Sequence, residues 1–320
     1  MGNNNLAEVM NAMPSHQESL LPEDPSMPAL LDRRGDALVN TSVEITMNPP
    51  DVEDMTFGAK CLVAATLPYR DPKPEQLENG CWIRRNGDYT LWVQGGPQGL
   101  PYGAYPRVFT IWLTAEAIRT GSRRIETGGS FWDFCRKVQI DTSRGKRGSG
   151  RRFVEQAERL LSSRAAFVRG SVDAGRVRSD FLSFAEGFDL FFDVEKPDEL
   201  GLFKSEITLT EAFFKEITEH SIPLDVRAVA ALKSAPLELD VYQWLAYRNF
   251  TLRGQSLITW DQLQRQFGTG HARQRDFRRD FKNAVKNVQQ VYPTARIEED
   301  ERGLILKASP TPIPKKLIIP

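Results

Sequence analysis

Phe277, Phe281, Ala284, Val285, Val288 and Tyr292 recur at steps of three and four, which predicts a helix over 273–291 docked by one face. Arg275, Arg279, Lys282 and Lys286 recur at the same steps on a different face, with Arg273 and Arg278 beside them. Asp276 and Asp280 are the acids of this stretch. Ahead of it, Thr259 with Gln262 three residues on has the form of a capping box and predicts a short helix over 261–267. Gly268, Thr269 and Gly270 then read as a turn. Two helices with glycine between them, and the charge on the second, make a helix-turn-helix pattern.

The first 50 residues contain no Phe, Trp or Tyr and are rich in Asn, Pro, Ser and acids. Such a stretch cannot bury enough apolar surface to order itself, so 1–54 reads as a disordered acidic arm. The apolar run 61–68 predicts an extended segment, and 81–93 a hairpin turning at Asn86-Gly87. Its Trp82, Tyr89 and Trp92 are placed at the surface, where they suit self-association. Pro106 is placed to start a helix over 106–120. An extended piece at 124–127, a helix over 130–138 capped by Ser130, a longer helix over 149–163, and strands at 165–170 and 188–194 follow. The second half opens with an amphipathic helix over 208–220. It continues with a helix over 237–249, a strand at 257–258, the two helices above, and strands at 295–299 and 303–307. Both halves thus run helix, strand, helix, helix, strand, strand. The expected architecture is α+β: two tandem winged-helix domains, 55–195 and 196–309, with the second as main reader. The Pro-rich tail 310–320 is expected to be extended or loose.

The 42 basic and 42 acidic residues cancel, so only their placement is informative. Bases gather at 144–178 and 265–286. Arg144, Lys146, Arg147, Arg151 and Arg152, spaced by glycines, form a second candidate contact with phosphate. On the basic helix, the planar fork of arginine suits a guanine edge and lysine suits phosphate. Gln274 is a candidate for adenine. The acids at 298–301 argue against DNA contact by the hairpin tip at Arg302-Gly303. Three cysteines without a Cys-x-x-Cys pair, and no apolar run of membrane-spanning length, predict a soluble intracellular protein. Chemistry is not expected. The chain lacks a Gly-x-x-x-x-Gly-Lys-Ser/Thr phosphate loop, and its three histidines stand singly, so neither nucleotide hydrolysis nor a metal-dependent nickase has its residues. No cofactor or metal is expected.

Several phrases in order resemble the plasmid-encoded RepA replication initiators, the family that includes the theta-replicating initiator of IncW-type plasmids. They are Leu67-Pro68-Tyr69-Arg70-Asp71-Pro72, Leu100-Pro101-Tyr102-Gly103-Ala104-Tyr105-Pro106-Arg107 and Thr114-Ala115-Glu116-Ala117-Ile118-Arg119-Thr120. Later come Leu237-Glu238-Leu239-Asp240-Val241-Tyr242-Gln243-Trp244-Leu245-Ala246-Tyr247-Arg248 and Ile258-Thr259-Trp260-Asp261-Gln262-Leu263. The resemblance implies a cytoplasmic protein that binds repeated origin sequences (iterons) as double-stranded DNA. It also implies opening of the origin, recruitment of the host replication initiator and replicative helicase, and a homodimer that represses its own promoter. The alternative is a winged-helix transcription repressor with no part in replication; a structural adaptor whose first domain oligomerises is a third.

Overall fold

The computed structural model describes residues 33–140, 149–171, 176–190, 206–268 and 273–318, and within them helices and antiparallel strands combine as an α+β fold. The chain enters on a helix, which corrects the expectation of disorder over the later part of 1–54. α1 (Arg33–Met47) buries Leu38 and joins Arg34 to Glu238 in an ion pair, so it is docked on the second half. Residues 1–32 lie outside the described residues.

β1 (Met55–Ala59) passes into α2 (Lys60–Ala64), where an extended run was expected. Cys61, Leu62 and Val63 are all buried, and a run that is apolar on every side has no period to separate strand from helix. β2 (Cys81–Asn86) and β3 (Tyr89–Gln94) form the expected hairpin, but the turn falls one residue late. Asn86 pairs with Tyr89, and Gly87 leads the two-residue loop with φ 58°. Only Gly87 needs the positive φ, so Asn86 stays in the strand. Trp82 is buried rather than at the surface, its indole N–H donating to the Thr66 carbonyl at 3.4 Å.

α3 (Ala104–Thr120) starts ahead of Pro106 and is buried over most of its circumference. β4 (Arg124–Glu126), α4 (Gly128–Lys137) and α5 (Ser149–Ser162) follow. Thr127, not Ser130, holds the cap position of α4, without a side-chain capping bond to the helix. β5 (Arg164–Ser171) pairs with β6 (Arg176–Ser183), a strand absent from the expected order. The strand expected at 188–194 begins earlier, as β7 (Ala185–Asp189), and pairs with β8 (Glu206–Leu209); 191–194 lie outside the described residues. β8 takes Thr208 out of the helix expected over 208–220. Thr210 caps what remains, α6 (Glu211–Glu219), accepting from the Phe213 N–H at 3.2 Å.

β9 (Ser221–Asp225) returns to pair with β1, tying the two halves together, and leads into α7 (Val226–Leu232) and α8 (Pro236–Thr251). β10 (Gln255–Thr259), α9 (Trp260–Phe267), α10 (Gln274–Val291), β11 (Arg296–Asp300) and β12 (Gly303–Lys307) close the second half. The tail is not loose throughout. Pro310 accepts from the Tyr292 hydroxyl at 2.6 Å, Ile313 is buried, and α11 (Lys315–Ile318) ends the described chain.

Helix, strand, helix, helix, strand, strand recurs from α3 to β6 and from α8 to β12, but the strands pair differently. In the second half the sheet order is β10-β12-β11. In the first, β4 leaves to join β8 and β7, while β5 and β6 extend the hairpin as β2-β3-β5-β6. One connected cluster of buried side chains runs through both halves.

The tip between β11 and β12 depends on Gly303. A Cβ there would lie 1.9 Å from the Ile258 carbonyl oxygen, and that neighbour is strand backbone that cannot swing aside. Gly303→Ala is expected to cost about 1–3 kcal/mol, the usual range for overpacking. A urea midpoint equal to that of the parent chain would show that the sheet accommodates the methyl.

Candidate nucleic-acid interface

α9 begins as its sequence dictates. The Gln262 N–H donates to Thr259 Oγ1 at 3.3 Å and the Thr259 N–H to Gln262 Oε1 at 2.9 Å, so both halves of the capping box are made. Trp260 then seats the helix: its indole N–H donates to the Glu301 carbonyl at 3.1 Å, and its backbone N–H to Arg302 at 2.9 Å. Leu263 and Phe267 face inward. α10 buries Phe277, Phe281, Ala284, Val285, Val288 and Val291, with Phe281 5.2 Å from the Phe267 ring and Phe267 5.5 Å from Trp244. Aromatic contacts of this kind fix α10 against α9 and α8.

With that face docked, a period of 3.6 places Arg275, Arg279, Lys282 and Lys286 together on the opposite side. Arg273, Arg275, Arg279 and Lys286 are exposed. Asp276 and Asp280 fall on the flank of this stripe rather than within it.

The stripe is not uniform. Arg279 lies 2.9 Å from Asp280 and 3.8 Å from Asp276, and the hydrogen bond to Asp280 raises its pKa further. Lys282 is paired with Glu299 of β11 and lies 5.5 Å from the centre of the Trp260 ring. Arg278 stacks on the same ring at 5.4 Å and donates to Gln274 at 2.9 Å. Gln274 donates in turn to Asp261 at 2.6 Å, so both ends of its amide are engaged within the protein. Arg273, Arg275 and Lys286 have no carboxylate within ion-pair distance among the described residues. The same residue types thus divide into groups committed to Trp260, Asp261 and the neighbouring acids, and groups open to a ligand. Sequence spacing gave no sign of the part Trp260 and Asp261 play in that division.

At the second candidate patch, Arg151 and Arg152 are exposed in the first turn of α5, while Phe153, Gln156, Ala157 and Leu160 on its other side are buried. Thr269, Arg144, Lys146 and Arg147 lie outside the described residues. The acids of the β11–β12 hairpin hold cations of their own. Glu298 pairs with Lys307, and Asp300 accepts from Arg302 at 3.0 Å, a bond that keeps its carboxyl below the usual range. Among the described residues no cluster of three or more metal-ligating side chains occurs, and no helix is long and apolar enough to cross a membrane.

No curated protein matches the sequence. Two solved structures are similar to it at low identity. A crystal structure of RctB domains 2–3 is 10% identical with a TM-score of 0.47, covering 77% of this chain and 96% of that one. A crystal structure of SeMet derivatives of RctB domain 2 and domain 3 is 10% identical with a TM-score of 0.40, covering 70% and 93%. The family model described as plasmid encoded RepA protein matches residues 100–262, from the approach to α3 into the first turn of α9. That stretch is more than half of the 320 residues, and the chain belongs to the plasmid-encoded RepA protein family.

Proposed function

We propose that the chain is a plasmid replication initiator that binds repeated origin sequences, iterons, as double-stranded DNA through the exposed face of α10. The observation that carries this reading is the stripe Arg275, Arg279, Lys282 and Lys286 opposite a fully docked face, on the second helix of a pair joined at Gly268. A helix so presented enters a major groove with its first turns near base edges and its later turns near the backbone. The sheet order β10-β12-β11, with α9 and α10 between its strands, supports a winged helix in the second half. The first half is read as a variant in which β4 is paired elsewhere, its α5 adding phosphate contacts through Arg151 and Arg152. The division at 195/196 is proposed with it, as two reading units held together by β1–β9 and by β8, which pairs with β4 and β7 across it.

In this reading the protein is cytoplasmic and works without catalysis of its own. Bending or opening an origin then draws on binding energy alone. Smooth bending costs on the order of 1–6 kcal/mol, which further phosphate contacts offset. Bound iterons present the host replication initiator and replicative helicase with an assembled site, and a homodimer occupies the chain's own promoter. Nuclease footprinting on the DNA flanking its gene is expected to show several protected direct repeats. Protection of one inverted repeat alone would make the protein a repressor without a replication role, and no protection would end the DNA reading.

A further inference from the structure

Gly268 is the C-cap residue of α9. The backbone there is closely packed. A Cβ on Gly268 would lie 2.5 Å from the Gln264 carbonyl oxygen, so the position admits glycine and little else. Three hydrogen bonds reach this end of α9 from the first half of the chain. Arg84 of β2 donates to the Gly268 carbonyl. Gln266 donates to the Val63 carbonyl at 2.7 Å, and Thr66 donates to the Gln266 carbonyl at 3.3 Å.

Arg84 is an expensive way to hold one carbonyl. It is 7% exposed, and its Nε and Nη2 have no hydrogen-bond partner among the described residues. Its guanidinium stacks 5.0 Å from the centre of the buried Trp82 ring. Burial lowers its pKa, although Tyr69 and Asp240 act the other way. A buried cation with unmade hydrogen bonds adds less stability than an apolar side chain of similar volume. What arginine adds here is direction: a charged donor, held over an indole in a four-stranded sheet, aimed at one backbone oxygen.

We infer that Arg84, with Gln266, is a positioning residue for DNA reading, fixing the end of α9 from the first half and so the angle at which α10 meets the groove. The inference rests on α10 being the reading helix. It makes the β2–β3 hairpin part of the recognition apparatus although no residue of it need touch DNA.

The test is titration of labelled cognate repeat and scrambled duplex with the full chain, at several salt concentrations and below each variant's melting temperature. Arg84→Ala is expected to weaken cognate binding about tenfold, the scale of one charge-assisted hydrogen bond. Scrambled binding should change by less than about twofold and the salt slope should hold, because no phosphate contact is lost. Gln266→Ala should shift the ratio in the same direction. Arg84→Lys keeps a donor within reach and should recover most of the lost ratio. If it recovers none, the effect lies in packing on Trp82 and the assignment is overturned. Equal losses on both duplexes, or none, would also overturn it. Arg275→Ala separates the two layers of the argument. If it lowers the cognate-to-scrambled ratio while Arg84→Ala and Gln266→Ala do not, only the positioning role fails. If Arg275→Ala leaves the ratio intact, the reading of α10 fails first.

Discussion

Arg107→Ala is expected to destabilise the protein by about 3–5 kcal/mol, the cost of leaving one member of a buried ion pair without its partner. Arg107 of α3 meets Asp240 of α8 in a two-pronged pair, Nε to Oδ1 at 2.8 Å and Nη2 to Oδ2 at 2.7 Å, with both side chains almost fully buried. The same guanidinium donates to the carbonyls of Leu67 at 2.7 Å, Pro68 at 3.2 Å and Gly103 at 2.7 Å, and stacks on Tyr69 at 4.8 Å. Burial disfavours charge on both groups. It raises the Asp240 carboxyl above its ordinary value, whereas on Arg107 burial is outweighed only by the charge and hydrogen bond of Asp240 together with Tyr69, and its pKa rises. The single substitution strands the Asp240 carboxylate and takes the guanidinium from the Leu67 carbonyl at the joint between the halves, while Pro68 keeps the Gly103 N–H at 3.0 Å. Replacing both partners with apolar residues, Arg107→Met with Asp240→Leu, should recover a large part of the loss, since it removes the stranded carboxylate. Urea unfolding of the two variants measures both effects. A single variant as stable as the parent would show that the packing of α3 on α8, not the pair, holds this joint.

Neither partner of that pair was singled out by sequence pattern, and the reason is general. Arg107 and Asp240 lie far apart along the chain, each on a helix whose neighbours are buried on nearly every side, so periodicity marks no face for either. α9 and α10 were legible for the opposite reason. They are local: Thr259 and Gln262 cap across three residues, and one apolar stripe docks against one core. α1 was missed because it docks by little more than Leu38 and Ile45, leaving Val39, Val43 and Met47 exposed in an acidic, aromatic-free stretch. β6 was missed because Arg176, Arg178, Ser179, Asp180 and Ser183 leave little apolar alternation, and its pairing with β5 supplies the order instead. The candidate interface shows the same limit. Spacing places Arg275 and Arg278 on one basic helix, but only the position of Trp260 shows that Arg278 is committed inward.

That division of charges sets the second large effect. Arg275 is exposed and free of carboxylates among the described residues, and it stands in the first turns of α10, where base edges come within reach. Arg275→Ala is expected to cost roughly 1–3 kcal/mol on the cognate repeat and much less on random duplex, the signature of a lost contact to a base. Arg279→Ala should change discrimination less, because Asp280 and Asp276 already hold that guanidinium in the free protein and must release it on binding. Lys286 sits in the later turns with no competing acid, and its role is with phosphate. Lys286→Ala should therefore weaken cognate and random binding alike and lower the salt slope by about 0.9. Binding isotherms on both duplexes across a salt series separate the three variants, because a base contact changes the ratio of affinities and a phosphate contact changes the slope. If Arg275→Ala moves the slope but not the ratio, this arginine touches only the backbone, and sequence is read from another part of the chain.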